Sequence, residues 1–276
     1  MTEKHVAGGP ARQLGHHHVE FVMGMAVSVD IRDPATPREA IIDVVEWLHH
    51  VDHTFSTHKP ESPISAMGRG ELSLDDAGDE IRGVLRLCEA LRDDSGGVFD
   101  VFEVPAPNGT RLDPSGLVKG WSIERAAEIL ERHGCRNFCI NAGGDIALRG
   151  NPRADQPWRV GIRHPDRAES MALVINAESR LGIATSATYE RGAHIIDPRT
   201  AEYTTDLASV TIVGPDLTLA DAYATTVFVM GLDGLDWLTR HRDYDGYVIT
   251  HDDMTYWTDG FSRYRSANPG GAGNTS

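Results

Sequence analysis

The 276-residue chain has only three cysteines, Cys88, Cys135 and Cys139. They form no recognisable metal-ligand framework and cannot all pair within one chain, so the fold is expected to be independent of disulfides. Cys139, beside Phe138 and Ile140, reads as a small buried hydrophobe. Long apolar runs are missing as well; none approaches the roughly 18 residues that a membrane-spanning helix needs. Positive charge is scarce: 26 basic against 41 acidic residues give a net charge of -15. That excludes non-specific binding to a nucleic-acid backbone, which needs clustered Lys and Arg. It does not exclude an anionic ligand held through a bound cation, because the cation inverts the local potential. Residues 1–14 lack a basic segment followed by an apolar one, so no secretory signal is read there and a cytoplasmic protein is expected.

With 40% hydrophobic and 24% charged residues, the composition is that of a globular protein long enough to bury a full core. Residues 21–31 read as a strand opened by Val22-Met23-Gly24-Met25. Ile41, Ile42, Val45 and Leu48 mark a helix after Pro37, ending near residues 51–53. Residues 54–65 are too rich in turn formers for a regular element and suggest a ligand rim. Residues 75–92 carry a broad apolar stripe and predict a second helix. A punctuated stretch, residues 112–120, precedes a third over 121–133, with Gly134 as its stop. Further strands are expected at residues 137–140, 158–164, 172–177, 182–186 and 209–213. Residues 217–231 and 235–241 predict helix, and residues 246–250 with 254–256 a closing hairpin. Strands with long helices inserted, and hairpin-like neighbours late in the chain, favour α+β over an alternating parallel sheet. Residues 1–18, which include His16-His17-His18, are expected to be a flexible arm. The domain should run over 19–262, with 263–276 a disordered tail.

Two glycine-rich segments stand out, Gly116-Leu117-Val118-Lys119-Gly120 and Asn141-Ala142-Gly143-Gly144-Asp145. Glycine admits positive φ and close ligand approach, but neither segment fits a dinucleotide or phosphate-loop fingerprint, and each is equally a tight turn. Lys119, where its segment enters the helix, suits an anion or is a solvated surface lysine. Asp145 orients a ligand or caps its own turn. In the helix from residue 217, Thr218 fits an N-cap with Asp221 as its capping-box partner and Leu217 and Ala222 as a hydrophobic staple. Asp221 and Thr225 also share one helix face, and a carboxylate with neutral oxygens is what Mg2+ accepts. Near His194, Asp197 and Arg199 are placed to pair. Ser186, Thr188 and Tyr189 offer hydroxyls.

Taken in order, Met23-Gly24, Phe55-Ser56-Thr57, Gly97-Val98-Phe99-Asp100, residues 113–120, Asn141 to Asp145, Ala184-Thr185-Ser186, Asp197-Pro198-Arg199-Thr200 and residues 219–231 resemble the ApbE family of FAD:protein FMN transferases. The resemblance covers about residues 20–255. It implies a duplicated, T-fold-like α+β architecture with mixed or antiparallel sheets and packed helices. It also implies FAD as substrate, Mg2+, and transfer of FMN to a Thr or Ser hydroxyl of an acceptor protein with release of AMP. Asp221, Thr225 and the Gly116 carbonyl match the metal ligands. Met23, Ser65, Ala66, Met67, Lys119, Asp145 and Ile195 match positions near FAD. His194 matches a histidine near the transfer chemistry, and either it or Asp221 would take the hydroxyl proton. Two family glycines are replaced here by Ala187 and Ala201, and the connection between Asp100 and Asp113 is short. A Mg2+-dependent FAD pyrophosphatase yielding FMN and AMP, and a non-catalytic FAD-binding protein, are the alternatives.

Overall fold

The computed structural model describes residues 15–106, 109–167, 169–187, 196–200, 202–204 and 206–265. The first predicted strand is instead a hairpin, β1 (His16–Val22) and β2 (Met25–Ile31). Met23 and Gly24 form its two-residue turn with φ of 55° and 73°, the positive values that match the twist of the flanking strands. His16, His17 and His18 therefore belong to β1, paired with Ile31, Asp30 and Val29, rather than to an arm.

Helices α1 (Arg38–Phe55), α2 (Pro63–Gly68) and α3 (Gly78–Asp94) follow. The turn-rich stretch after α1 thus holds a helix: Ser62 caps α2 by accepting the Ser65 N–H at 3.1 Å, and Pro63 occupies a first-turn position where its missing N–H costs nothing. A small hairpin, β3 (Val104–Ala106) and β4 (Gly109–Arg111), leads to α4 (Ser115–Arg132). This helix starts well before the predicted residue 121, so the first glycine-rich segment is helix, not loop. Glycine is disfavoured inside a helix, yet here tertiary packing requires it. A Cβ on Gly120 would lie 2.6 Å from the Leu217 carbonyl oxygen and 2.7 Å from Asp221 Cβ.

Strands β5 (Phe138–Ala142) and β6 (Asp145–Arg149) are joined by Gly143-Gly144, both at positive φ, as the sequence anticipates for a turn. Next come the hairpin β7 (Trp158–Arg163) and β8 (Met171–Ala177), then β9 (Leu181–Ala187) and the short pair β10 (Ile196–Asp197) and β11 (Glu202–Tyr203). The chain closes with β12 (Leu207–Gly214), α5 (Leu217–Met230), α6 (Asp233–Leu238), the predicted hairpin β13 (Asp245–Thr250) and β14 (Thr255–Trp257), and a 3-10 helix, Asp259–Tyr264.

Eight strands form one sheet in the order β1-β2-β5-β6-β9-β12-β13-β14, and its pairings are antiparallel. One face carries the helices. Val27, Val29 and Ile31, alternating along β2, join Leu48, Leu117, Leu130 and Phe228 in the larger core. The other face is covered by the β7–β8 hairpin and the 3-10 helix, where Leu148, Ile175, Ile183, Val213 and Phe261 form a second core. Between these layers every residue of β12 is buried. Helix α5 is apolar on nearly all sides because α4 and the sheet enclose it. A carboxylate in its second turn is therefore conspicuous.

Candidate functional site

Asp221 is that carboxylate, 3% exposed. The capping box expected for it does not form: Asp216 is the N-cap, its Oδ1 accepting the N–H groups of Thr218 (2.7 Å) and Leu219 (3.4 Å). An aspartate one residue before the helix outcompetes the threonine within it, which frees Asp221 for a tertiary contact. Asp221 Oδ2 accepts the Gly120 N–H at 2.8 Å, and its Oδ1 lies 3.7 Å from Lys119 Nζ.

Lys119 occupies the second turn of α4, not its entry. Its ammonium pairs at 2.7 Å with Oδ2 of the buried Asp145, at the start of β6. Asp145 Oδ1 accepts the Thr185 N–H of β9 at 3.1 Å. One ammonium thus stands between two carboxylates contributed by β6 and α5.

Thr225 lies one turn beyond Asp221 and is half-buried; its hydroxyl is 3.5 Å from that of Ser186 on β9. The third expected metal ligand, the Gly116 carbonyl, sits one turn before Gly120 in α4. In a regular helix that carbonyl accepts the Gly120 N–H. Asp221 Oδ2 also accepts this N–H, which brings the carboxylate to the same turn of α4 as the carbonyl. Carboxylate, hydroxyl and carbonyl are hard oxygen donors of the kind Mg2+ takes, and the donor set fits that ion.

Met23, in the β1–β2 turn, reaches the same helix: Ser122 Oγ lies 3.8 Å from its sulfur and donates to the Lys119 carbonyl at 2.7 Å. The structure therefore brings Met23, Lys119, Asp145, Asp221 and Thr225 together around α4. Ser65, Ala66 and Met67 belong to α2. Ser65 Oγ donates to the Ser56 carbonyl at 3.3 Å, and Met67 packs on the larger core. Among the described residues no hydrogen bond joins them to the Lys119 cluster. His194 and Ile195, with Thr188 and Tyr189, lie outside the described residues. The expected Asp197–Arg199 pair forms, with Nη2 to Oδ2 at 2.7 Å, and the guanidinium holds the Asp197 carboxyl below the usual carboxylate range. A separate group, His164, Asp166 and Asp253, places its ligand atoms within 4.8 Å of one another at the end of β7. The histidine there is already engaged: its Nδ1 accepts the Asp166 N–H at 3.2 Å, and its Nε2 pairs with Asp253 at 3.2 Å.

Sequence reasoning missed Glu124. It is 2% exposed on α4, and it contacts the start of α5. The signal was present in the four-residue spacing of Gly116, Gly120 and Glu124, which puts all three on one helix face.

An antiparallel sheet with helices on one face, and an ammonium held between carboxylates where two helices cross, define an α+β protein with a polar site built into an apolar interface. The model of the ApbE family matches residues 103–248, more than half of the chain. The chain belongs to the ApbE family. It is 30% identical over 166 residues to the FAD:protein FMN transferase of Vibrio cholerae, covering 57% of this chain and 48% of that protein. With the FAD:protein FMN transferase of Haemophilus influenzae it shares 29% identity over 167 residues, covering 56% and 47%. The chain spans about half the length of the curated relatives it matches. In fold it is similar to the flavin transferase ApbE from Vibrio cholerae, with a TM-score of 0.78 at 22% identity over 91% of this chain and 99% of that one. The ApbE protein from Thermotoga maritima gives 0.77 at 20% identity over 92% and 100%. Among the described residues no helix is long and apolar enough to cross a membrane.

Proposed function

We propose that this chain, through the fold that runs from β1 to the 3-10 helix, transfers FMN from FAD to a Thr or Ser hydroxyl of an acceptor protein, with Mg2+, and releases AMP. The observation that carries this reading is the cluster in which Lys119 Nζ meets Asp145 at 2.7 Å and faces Asp221 at 3.7 Å, inside the segment matched by the family model. Asp221, Thr225 and the Gly116 carbonyl would hold the metal. When bound, Mg2+ supplies Lewis-acid contact to pyrophosphate oxygens and offsets charge on the departing AMP.

The chain's own groups do the rest. Asp145, fixed by the Thr185 N–H, holds the Lys119 ammonium in place, so a donor for phosphate oxygens is oriented before substrate arrives. Met23, Ser65, Ala66, Met67 and Ile195 would contact FAD. The acceptor hydroxyl attacks the phosphorus of the FMN half, its proton passing to His194 or Asp221. The phosphoester forms as the bond to the AMP oxygen breaks. Three cysteines free of disulfide bonds support action in a reducing compartment, for which the cytoplasm is proposed.

The test is mass spectrometry of a Thr-containing acceptor domain after incubation with this protein, FAD and Mg2+. The expected result is a mass gain of one FMN that disappears in Asp221→Ala. Free FMN and AMP without a mass gain would replace transfer by hydrolysis, and intact FAD would leave only a flavin-binding protein.

A further inference from the structure

Three elements converge on the first turn of α5, the helix that carries Asp221 and Thr225. Gly182 of β9 comes so close that a Cβ there would lie 2.6 Å from the Leu217 nitrogen. Gly120 of α4 is equally close to the Leu217 carbonyl. Between them, Glu124 places both of its carboxylate oxygens among donors. Oε1 accepts from Arg149 Nη2 at 2.5 Å and from Arg180 Nη2 at 2.6 Å, while Oε2 accepts the Leu217 N–H at 3.1 Å. That N–H belongs to the helix's first turn and has no acceptor within the helix.

The two ties between α4 and α5 are in register. Glu124 meets Leu217 and Gly120 meets Asp221, so a step of four residues back along α4 matches a step of four forward along α5. A one-turn separation on both helices fixes their axial register, and that register sets where the Asp221 oxygens stand relative to Lys119 and Gly116. Arg149, 3% exposed, is held by Glu131 as well, and Arg180 also bridges to Glu131. The two guanidinium groups offset the cost of burying the Glu124 charge.

We propose that Glu124 is a positioning residue for the metal site: it locks α5 against α4 so that Asp221, Thr225 and the Gly116 carbonyl converge on one cation. The proposal rests on the reading of Asp221 as a metal ligand. Glu124 touches neither substrate nor metal and acts through the placement of α5.

Glu124→Gln gives a sharp test because the shape is kept. Both oxygens face donors, so the glutamine amide must set N–H against N–H at Leu217 or at the arginines. The probe is Mn2+ alone, titrated by electron paramagnetic resonance into the full chain. Wild type is expected to bind Mn2+ in a manner lost in Asp221→Ala. Loss of a group that orients a metal ligand weakens metal affinity by about tenfold or more, and that is the change expected in Glu124→Gln. Leu148→Ala, in the second core, is the control. It is expected to lower the melting temperature and leave Mn2+ affinity unchanged, which separates positioning from general destabilisation. If Glu124→Gln does not fold, Arg180→Met takes its place, because that guanidinium is partly exposed. That variant loses the partly exposed Arg180 pairs to Glu124 and Glu131, and about threefold weaker Mn2+ binding is expected. Wild-type affinity in the folded variant overturns the positioning role and leaves the functional reading intact. Absence of Asp221-dependent Mn2+ binding in the wild type overturns both.

Discussion

The backbone N–H of Gly120 donates to Asp221 Oδ2 at 2.8 Å, joining residues 101 positions apart at the crossing of α4 and α5. Backbone can approach the carboxylate this closely only where no Cβ intervenes. Gly120→Ala is therefore expected to push the two helices apart. The clash is with a backbone oxygen and the Cβ of Asp221, not with the end of a flexible side chain. Overpacking of this kind costs about 1–3 kcal/mol, to be read from the midpoint of urea unfolding. An unchanged midpoint would mean that the helices separate without cost.

Asp221→Asn separates the structural use of this side chain from its charge. The amide oxygen still accepts the Gly120 N–H, so stability should stay close to wild type. FMN transfer should fall by about a hundredfold, the equivalent of about 3 kcal/mol of lost transition-state stabilisation when a metal contact is removed. Full transfer at wild-type Mg2+ dependence in this variant would remove Asp221 from the metal site.

What the sequence made legible was periodicity and turn chemistry. Ile81, Val84, Leu85, Leu87, Cys88 and Leu91 mark α3 as a broad apolar stripe, and all but the exposed Leu87 are buried. Gly143-Gly144 marks the β5–β6 turn, and the β13–β14 hairpin lies where its alternation places it. The failures were local rules overridden by tertiary contacts. Gly116 and Gly120 resemble a loop because glycine is a poor helix former; the approach of α5 explains Gly120, whereas a Cβ on Gly116 would meet only the Phe99 ring at 3.5 Å. Thr218 was a different kind of miss: Asp216, two residues earlier, is the stronger local cap and takes the role. Of the site, Asp221 and Thr225 were visible as two oxygens on one helix face. The Gly116, Gly120 and Glu124 spacing marks a shared helix face, but the partners of Glu124, and the Lys119–Asp145 pair, join distant segments that no spacing along the chain encodes.

Lys119 and Asp145 form a partly buried pair of unequal exposure: the lysine side chain is 23% exposed and the aspartate 1%. Lys119→Met should leave the Asp145 charge buried with the Thr185 N–H and without its ammonium. Breaking a buried pair from one side costs about 3 kcal/mol. Adding Asp145→Asn removes the stranded charge, so the double variant should recover most of the stability lost in Lys119→Met. Thermal unfolding of the two single variants and the double variant gives the coupling. Simple additivity of the two losses would show that the pair contributes nothing as a pair.

Alkaline pH should destabilise the fold from about pH 9 upward, because several acids are held protonated by burial. The Cys88 and Cys139 thiols are pushed up from 9.0 to about 12. The Tyr244 and Tyr247 hydroxyls are raised from 10.0, again chiefly by burial. The native state keeps these protons while the unfolded chain releases them, so their contribution is complete below pH 9 and is lost as pH rises through the native values. Melting temperature measured between pH 7.5 and 11.5, in about half-unit steps, should hold level and then decline from near pH 9, steepening once the tyrosines join in above pH 10. Burial raises the Cys135 thiol as well, so the onset should move toward pH 10, where the tyrosines titrate, in the triple variant Cys88→Ala/Cys135→Ala/Cys139→Ala. A melting temperature that stays flat to pH 11 in the wild type would show that these groups ionise in the folded protein as readily as in the unfolded chain, against their burial in the core.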